Sequence, residues 1–387
     1  MHALVPVIAE RFRKQFPGKP VLVVSPGRVN LIGEHTDYNE GFVLPGATDK
    51  AVVFAVAPRA DGLCHFVSRD FDQEFRCELG RFHRSPLRWP DYLQGVLDQF
   101  VKAGHRVGGV SCVFGGDVPI GAGMSSSAAI EGGLAFALNA LFGLGLDSLA
   151  LVKLAQRAEN EFVGVRCGVM DQFINIHGRA KTLLKIDCRS LGHERVPFGR
   201  EDLRVVVSDT LVRRELAASE YNIRRAQCEA GVNILRAHDP SVRSLRDATL
   251  DLLREHRAEF DPVILRRCEY VVRENIRVEE ACAALARNDF AVFGGLMNLS
   301  HAGLRDDYEV SSAELDALVE AARRVPGVLG SRMMGAGFGG CTISLVEAGA
   351  VEEFEARVGR DYQAETGQAP KIHVVRIEQG THAADPA

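Results

Sequence analysis

Residues 27–45 read GRVNLIGEHTDYNEGFVLP. Arg28, Glu34, His35, Asp37, Tyr38 and Asn39 crowd into this glycine-punctuated stretch between two strand-like runs. Carboxylates accept hydrogen bonds in fixed directions, so the stretch suits a ligand rich in hydroxyl groups. From spacing alone, a solvated loop with a helix start explains it equally well. A second stretch, PIGAGMSSSAA at 119–129, runs straight into a long apolar segment. Gly121 and Gly123 let the backbone approach a ligand closely. Ser125, Ser126 and Ser127 stand where a helix begins, and free N–H groups and the positive dipole end there bind phosphate. A serine hydroxyl can also ligate Mg²⁺. No GK[ST] follows, so this is neither a Walker A loop nor a dinucleotide fingerprint. A glycine turn with serine caps is the plainer alternative, and phosphate binding is preferred over it. A third stretch, 158–173, places Glu159 late in a helix and Asp171 on a glycine-rich loop. Two such acids can hold a metal and orient a nucleophile, although alone they read more simply as a surface Glu and a capping Asp. MMGAGFGGC at 333–341 bares the backbone at Gly335, Gly337, Gly339 and Gly340, which can lie against a phosphate.

The elements that must position these residues show in the apolar periodicity. Ile8, Phe12 and Phe16 form a helical stripe over 4–16. Val21–Val24 reads as a strand closed by the turn signal Ser25-Pro26-Gly27. AVVFAVA at 51–57 and the alternating Val110, Cys112 and Phe114 are further strands. Ile130, Leu134, Leu138 and Leu141 are spaced as a helix, and Asp147 can cap the next one. Thr182–Ile186 closes the first half as a strand. Beyond it, LRVVV at 203–207 and 341–346 read as strands. Helical stretches are expected around 215–236, 262–287 and 311–324, the last with Ser311 and Glu314 at capping-box spacing. The tail after Glu378 is expected to fray. Mixed helices and strands give an α+β or α/β class. With 387 residues, two domains are expected, 1–190 and 191–387, with a cleft between them.

Composition narrows the function classes. A formal charge of -5 provides no basic field for nucleic acid or anionic membrane. The first twenty residues lack a signal-peptide pattern, and no apolar run reaches the ~18–20 residues of a membrane helix. The nine cysteines include no CxxC pair, so reduced thiols in a cytoplasmic protein are expected.

Taken together, the segments resemble the galactokinase branch of the GHMP small-molecule kinases. The likeness rests on 27–45, on 119–129, on 333–341, on MDQF at 170–173 and on SEYNIRRAQCE at 219–229. These motifs are collinear and span nearly the whole chain. The resemblance implies an N-terminal α/β domain, a ferredoxin-like C-terminal domain and a site in the cleft between them. It implies that Arg28 and Asp171 flank the reacting sugar hydroxyl. Glu34, Asp37, Gly168 and Tyr221 would bind the sugar, with His35 nearby. Gly121, Gly123, Met124, Ser125, Ser126 and Ser127 would hold the triphosphate of ATP, with Trp89 and Tyr92 beside the adenine. Ser127 and Glu159 would ligate Mg²⁺. Glu40 stands where many members carry a small residue or Asp, and Met334 where Thr is commoner.

The implied reaction is ATP plus α-D-galactose giving ADP and galactose 1-phosphate, by a cytoplasmic monomer. An unperturbed Asp, with a pKa of about 3.9, is a weak base. Asp171 either abstracts the hydroxyl proton early or orients the hydroxyl and receives the proton late. Rival readings are a kinase for another sugar, a catalytically silent sugar sensor, and a mevalonate or homoserine kinase. The intact Ser125–Ala129, Glu159 and Asp171 argue against the sensor, and the polar stretch 34–39 argues against the last.

Overall fold

A computed structural model describes residues 2–121, 123–212 and 217–385, with the backbone alone for 217–219. The first half runs α1 (Leu4–Gln15), β1 (Val21–Asn30), β2 (Phe42–Val43), β3 (Pro45–Arg59), β4 (Leu63–Ser68), β5 (Gln73–Glu78), α2 (Trp89–Lys102) and β6 (Gly109–Gly116). It continues through α3 (Ser126–Leu141), α4 (Ser148–Arg157), a π turn at Ala158–Val163, α5 (Met170–His177), β7 (Thr182–Asp187) and β8 (His193–Pro197). Then come β9 (Leu203–Asp209), α6 (Ala217–His238), α7 (Leu250–Glu255), α8 (Pro262–Ala286), α9 (Phe290–Ala302) and α10 (Ala313–Arg323). The chain ends with β10 (Val328–Met334), β11 (Cys341–Glu347), α11 (Val351–Thr366), β12 (Lys371–Val375) and β13 (His382–Ala384).

The larger sheet has the order β13-β1-β3-β6-β4-β5. Its pairs are antiparallel except for β4 with β6. Side chains alternate across it with period two. Leu22, Val24, Val53 and Ala55 on one face pack with Val5, Ile8 and Phe12 of α1. Val23, Phe54, Val56, Cys112 and Phe114 on the other join Leu93, Leu97, Leu134 and Leu138 of α2 and α3. The second half forms the all-antiparallel sheet β10-β11-β9-β12. With helices between β9 and β10, and α11 between β11 and β12, this is the ferredoxin-like order. One core joins the halves, since Val205, Ile343 and Phe293 belong to the same buried cluster as Val23 and Leu134.

Four local expectations are corrected. Ser25-Pro26-Gly27 does not turn, because β1 runs on to Asn30 with a register shift between Pro26 and Arg28. The strand is paired on both sides of the shift, and the bulge accommodates a proline that cannot donate. Past it, Arg28 N donates to the Met124 carbonyl at 3.0 Å, which ties β1 to the serine-rich loop. A Cβ on Gly27 would meet that carbonyl at 2.8 Å, so the close approach requires glycine. Ser312, not Ser311, caps α10, and Ser311 donates instead to Asp316 at 2.6 Å. Asp171 lies in the first turn of α5 and not on a loop. The described part of the tail, to residue 385, does not fray, because β13 pairs with β1 and the Thr381 hydroxyl bonds Asn175. Asp147 caps α4 as expected, accepting from Ala150 N at 2.7 Å. Residue 191 falls in the turn of the β7–β8 hairpin, and β13 returns from the second half to the first sheet.

Candidate active site

The kink in β1 delivers Arg28, only 5% exposed, to the start of α5. Its Nε donates to Asp171 Oδ1 and its Nη2 to Oδ2, both at 2.8 Å. Nη1 donates to the Gly123 carbonyl, and Ser125 Oγ donates to Asp171 Oδ2. Burial alone would weaken the charge on Arg28, but the carboxylates of Asp171 and Glu34 outweigh it and raise its affinity for the proton. The fork fixes the carboxylate plane. Among the described residues, Oδ1 has one partner and Oδ2 has two.

A cavity of about 200 Å³ opens beside this pair, lined by Arg28, Glu34, His35, Asp37, Glu159, Gly168, Asp171 and Tyr221 among others. Small-molecule pockets usually run ~300–1,000 Å³, so a compact polar ligand fits it best. Glu34 is buried, and its Oε1 accepts from Arg332 Nη2 at 3.0 Å and Gly335 N at 2.9 Å. His35 adopts a left-handed φ of 62°. Its Nε2 lies 3.2 Å from the Ala336 carbonyl and therefore carries the ring proton, while Nδ1, 2.8 Å away, accepts from the Tyr38 hydroxyl. The chain extends from Tyr38 to Tyr308 at 2.8 Å and on to Cys228 at 3.1 Å. Burial pushes the His35 imidazole down to about 3, so it is a neutral strut for the loop. Burial, helped by the charge of Asp171, pushes Asp37 up to about 7. A Cβ on Gly168 would stand 1.9 Å from Asp37 Oδ2, so only glycine fits there.

A second cavity of about 220 Å³ lies at the start of α3, and Trp89, Tyr92, Ser126 and Ser127 all line it. Trp89 is also a core residue, with Phe114 at 5.5 Å and its Nε1 donating to Gln73 at 2.8 Å. Met124 is fully buried, so what it offers is backbone. Gly123 packs against Cys341 and Met334, which brings the two glycine-rich loops together. Ala122, which precedes Gly123 in sequence, lies outside the described residues.

Glu159 connects the two cavities. Burial first, and Asp171 next, raise its carboxyl above the ordinary range, while hydrogen bonds from Ser127, Cys167 and Gln172 oppose the rise. Gln172 Nε2 donates to Glu159 at 2.6 Å and to Glu131 at 3.2 Å. Glu131 is fully buried, and its Oε1 has no partner among the described residues. Burial and the charge of Glu159 hold the Glu131 carboxyl well above the ordinary range, so these two buried acids keep a proton that a cation would displace. Together with the Ser127 hydroxyl, they make an oxygen donor set that fits a hard divalent cation.

The structure therefore gathers Arg28, Glu34, His35, Asp37, Glu159, Gly168, Asp171 and Tyr221 around one cavity, and Trp89, Tyr92, Ser126 and Ser127 around the other. Gly123 and Ser125 stand between them through their bonds to Arg28 and Asp171. Sequence reasoning missed Arg332, Glu131 and Gln172. A lone arginine in a buried strand and a lone acid in an apolar helix, four residues after Ser127, were the available signals. Glu40 points away from the cavity to Arg189 Nε at 2.7 Å, and Met334 Sδ accepts from Asn30 N at 3.3 Å. Neither lines the cavity.

Known proteins resemble this chain over nearly its whole length. A galactokinase galactose-binding signature matches residues 10–58, the GHMP kinases N terminal domain matches 91–179, and the GHMP kinases C terminal domain matches 281–364. A protein named Galactokinase from Roseiflexus sp. (strain RS-1) is 45% identical over 374 residues, 96% of this chain and 95% of the relative. Another of that name from Fusobacterium nucleatum is 40% identical over 372 residues, 95% of each. The crystal structure of Lactococcus lactis galactokinase complexed with galactose superposes with a TM-score of 0.94 at 33% identity, covering 99% of this chain and 100% of that one. Methanococcus jannaschii mevalonate kinase, at a TM-score of 0.68 and 17% identity, covering 94% of this chain and 100% of that one, shares the fold. With three family descriptions, two long relatives and one superposed structure in agreement, the chain belongs to the galactokinase family of GHMP kinases.

Proposed function

We infer that this chain transfers the γ-phosphoryl group of ATP to the C1 hydroxyl of α-D-galactose, giving ADP and galactose 1-phosphate. The observation that carries this reading is the Arg28–Asp171 fork in a sugar-sized cavity, tied through Ser125 to the loop that opens α3. The relatives' names and the galactose in the superposed kinase support the choice of sugar.

Glu34 and Asp37 accept from sugar hydroxyls, and Tyr221 closes the cavity against His35 at a ring distance of 5.5 Å. Trp89 and Tyr92 wall the adenine, while the N-terminus of α3 with Ser125, Ser126 and Ser127 receives the phosphates. Ser127 and Glu159 would hold a magnesium ion, which supplies positive charge to the phosphate oxygens when bound. In the reaction, the C1 oxygen forms a bond to the γ-phosphorus, and the bond from that phosphorus to the bridging oxygen of ADP breaks. The hydroxyl proton passes to Asp171 Oδ1, the oxygen with acceptor capacity to spare. The guanidinium fork fixes the plane and direction of the Asp171 carboxylate. Its geometry therefore favours the account in which it orients the hydroxyl and takes the proton late in a loose transition state. Arg28 offsets the charge gathering at the transferring group.

The test is ADP release from Mg·ATP with galactose, N-acetylgalactosamine, arabinose, glucose, mevalonate or no acceptor. Turnover is expected with galactose far above the rest, and Asp171→Asn is expected to fold and lose about 10²–10⁴-fold in kcat. Galactose that protects the fold against heat without any ADP release would leave a sensor, and the mechanism would fall.

A further inference from the structure

We propose that His238, His256 and Glu259 form a binding site for a divalent transition-metal cation of the zinc class, separate from both cavities of the kinase site. None of the three lines either cavity. His238 is the last residue of α6, His256 is the C-cap just beyond α7, and Glu259 closes the short 3₁₀ turn Arg257–Glu259 before α8. Two stretches of chain separated by seventeen residues thus bring a carboxylate and two imidazoles together.

The contacts run through ligand atoms. His238 Nε2 lies 2.8 Å from Glu259 Oε2, and His256 Nδ1 lies 3.3 Å from Glu259 Oε1. Each residue offers a donor atom, and all of them lie within 4.8 Å of one another. Ligand atoms on a common metal sit at M–N distances of ~2.0–2.1 Å and M–O distances of ~2.0–2.2 Å, which such a spread allows after small side-chain adjustments. The imidazoles stack with centroids 3.8 Å apart and planes 15° apart. Ligation requires them to turn until their lone pairs converge; His238 and Glu259 are exposed and His256 is half-buried. Two imidazoles and one carboxylate suit zinc, cobalt(II) or nickel(II), while magnesium prefers oxygen ligands only. With three protein ligands at the surface, a water completes the coordination. An occupied site would cross-link the end of α6 to the α7–α8 connection. α6 is the helix that carries Tyr221 to the sugar cavity.

The experiment titrates the metal-stripped full chain with zinc sulfate by calorimetry at neutral pH, in saturating magnesium to occupy the oxygen site. Cobalt(II) is added in parallel as a spectroscopic probe. One zinc per chain is expected, with a rise in the thermal midpoint. A d–d absorption band from cobalt in a nitrogen–oxygen site is also expected. His238→Ala with His256→Ala is expected to abolish binding. Glu259→Gln is expected to weaken it by more than the ~10–100-fold that loss of an outer partner costs. Acidification should weaken binding as protons compete for the imidazoles. Galactose-dependent ADP release by the double variant, expected to match the parent protein, shows that its fold is intact and keeps this test independent of the kinase reading. If that variant does not fold, Glu259→Gln and His256→Gln decide in its place. Zinc binding that survives these substitutions, or its absence from the parent protein at neutral pH, overturns the proposal.

Discussion

Asp37 and Asp171 face one cavity with different partners. Asp171 has a guanidinium fork and a serine hydroxyl, whereas Asp37 has the backbone N–H of Tyr38 at 2.9 Å and little else to offset its burial. Asp37 therefore titrates near neutrality, at about 7. An ionised carboxylate accepts sugar hydroxyls best, so KM for galactose is expected to fall as pH rises through about 7, and Asp37→Asn should remove that step. A flat KM across this range in the parent protein contradicts the assignment. Stability has the opposite sign. The folded protein retains a proton on Asp37 that an unfolded Asp loses near ~3.9, so this residue's contribution declines from there up to about 7 and then levels off. Glu159→Ala tests the cation. The Mg²⁺ needed for half-maximal turnover should rise by at least ~10-fold, while calorimetric galactose binding without nucleotide stays near that of the parent protein. Arg28 and Asp37 were legible because their polar cluster contradicts a core, whereas Asp171 was legible only through the likeness of its segment to the family. Arg332 was not, because its partner Glu34 lies 298 positions away and no local pattern encodes the pairing.

At the scale of elements, the site depends on what holds β1 beyond its kink. Arg332 on β10 is fully buried and donates to the Leu31 carbonyl at 2.8 Å and to the Asn30 carbonyl at 2.6 Å, as well as to Glu34. One guanidinium thus pins the end of a strand from one half to a strand of the other and fixes a sugar-binding carboxylate. Arg332→Met should cost about 3–5 kcal/mol in urea unfolding, because Glu34 is left buried without its partner. A cost below 1 kcal/mol would mean that water or a neighbour replaces the guanidinium. Helices with long apolar stripes, such as α3 and α8, were legible from periodicity. The bulge at Pro26 was not, because the turn signal is local and the pairing of β1 with β3 that overrides it is not. The same holds for Ser311, where the helix starts one residue later than its capping-box spacing suggested.

The molecule as a whole is closed by its last strand. β13 covers the outer edge of β1, with Leu22 opposite Ala384 and Val24 opposite His382. Thr381 Oγ1, buried beside it, lies 3.0 Å from Ser25 Oγ and 2.8 Å from Asn175 Oδ1. Two domains were the natural reading of length, and a division at 190/191 that of the strand pattern, but neither can reveal a strand that travels back across the molecule. Ending the chain at Glu378 is expected to lower the thermal midpoint by several degrees and to promote aggregation, since β1 becomes a bare edge. Unchanged melting and light scattering would mean that β13 only decorates the sheet. The closing strand also bears on biosynthesis. β1 emerges from the ribosome among the first thirty residues, yet its outer neighbour follows more than 350 positions later. At ~5–20 residues per second, the nascent chain must carry that exposed edge for tens of seconds. Translation speed and chaperone access in that interval therefore bear on how much of the enzyme reaches its folded state.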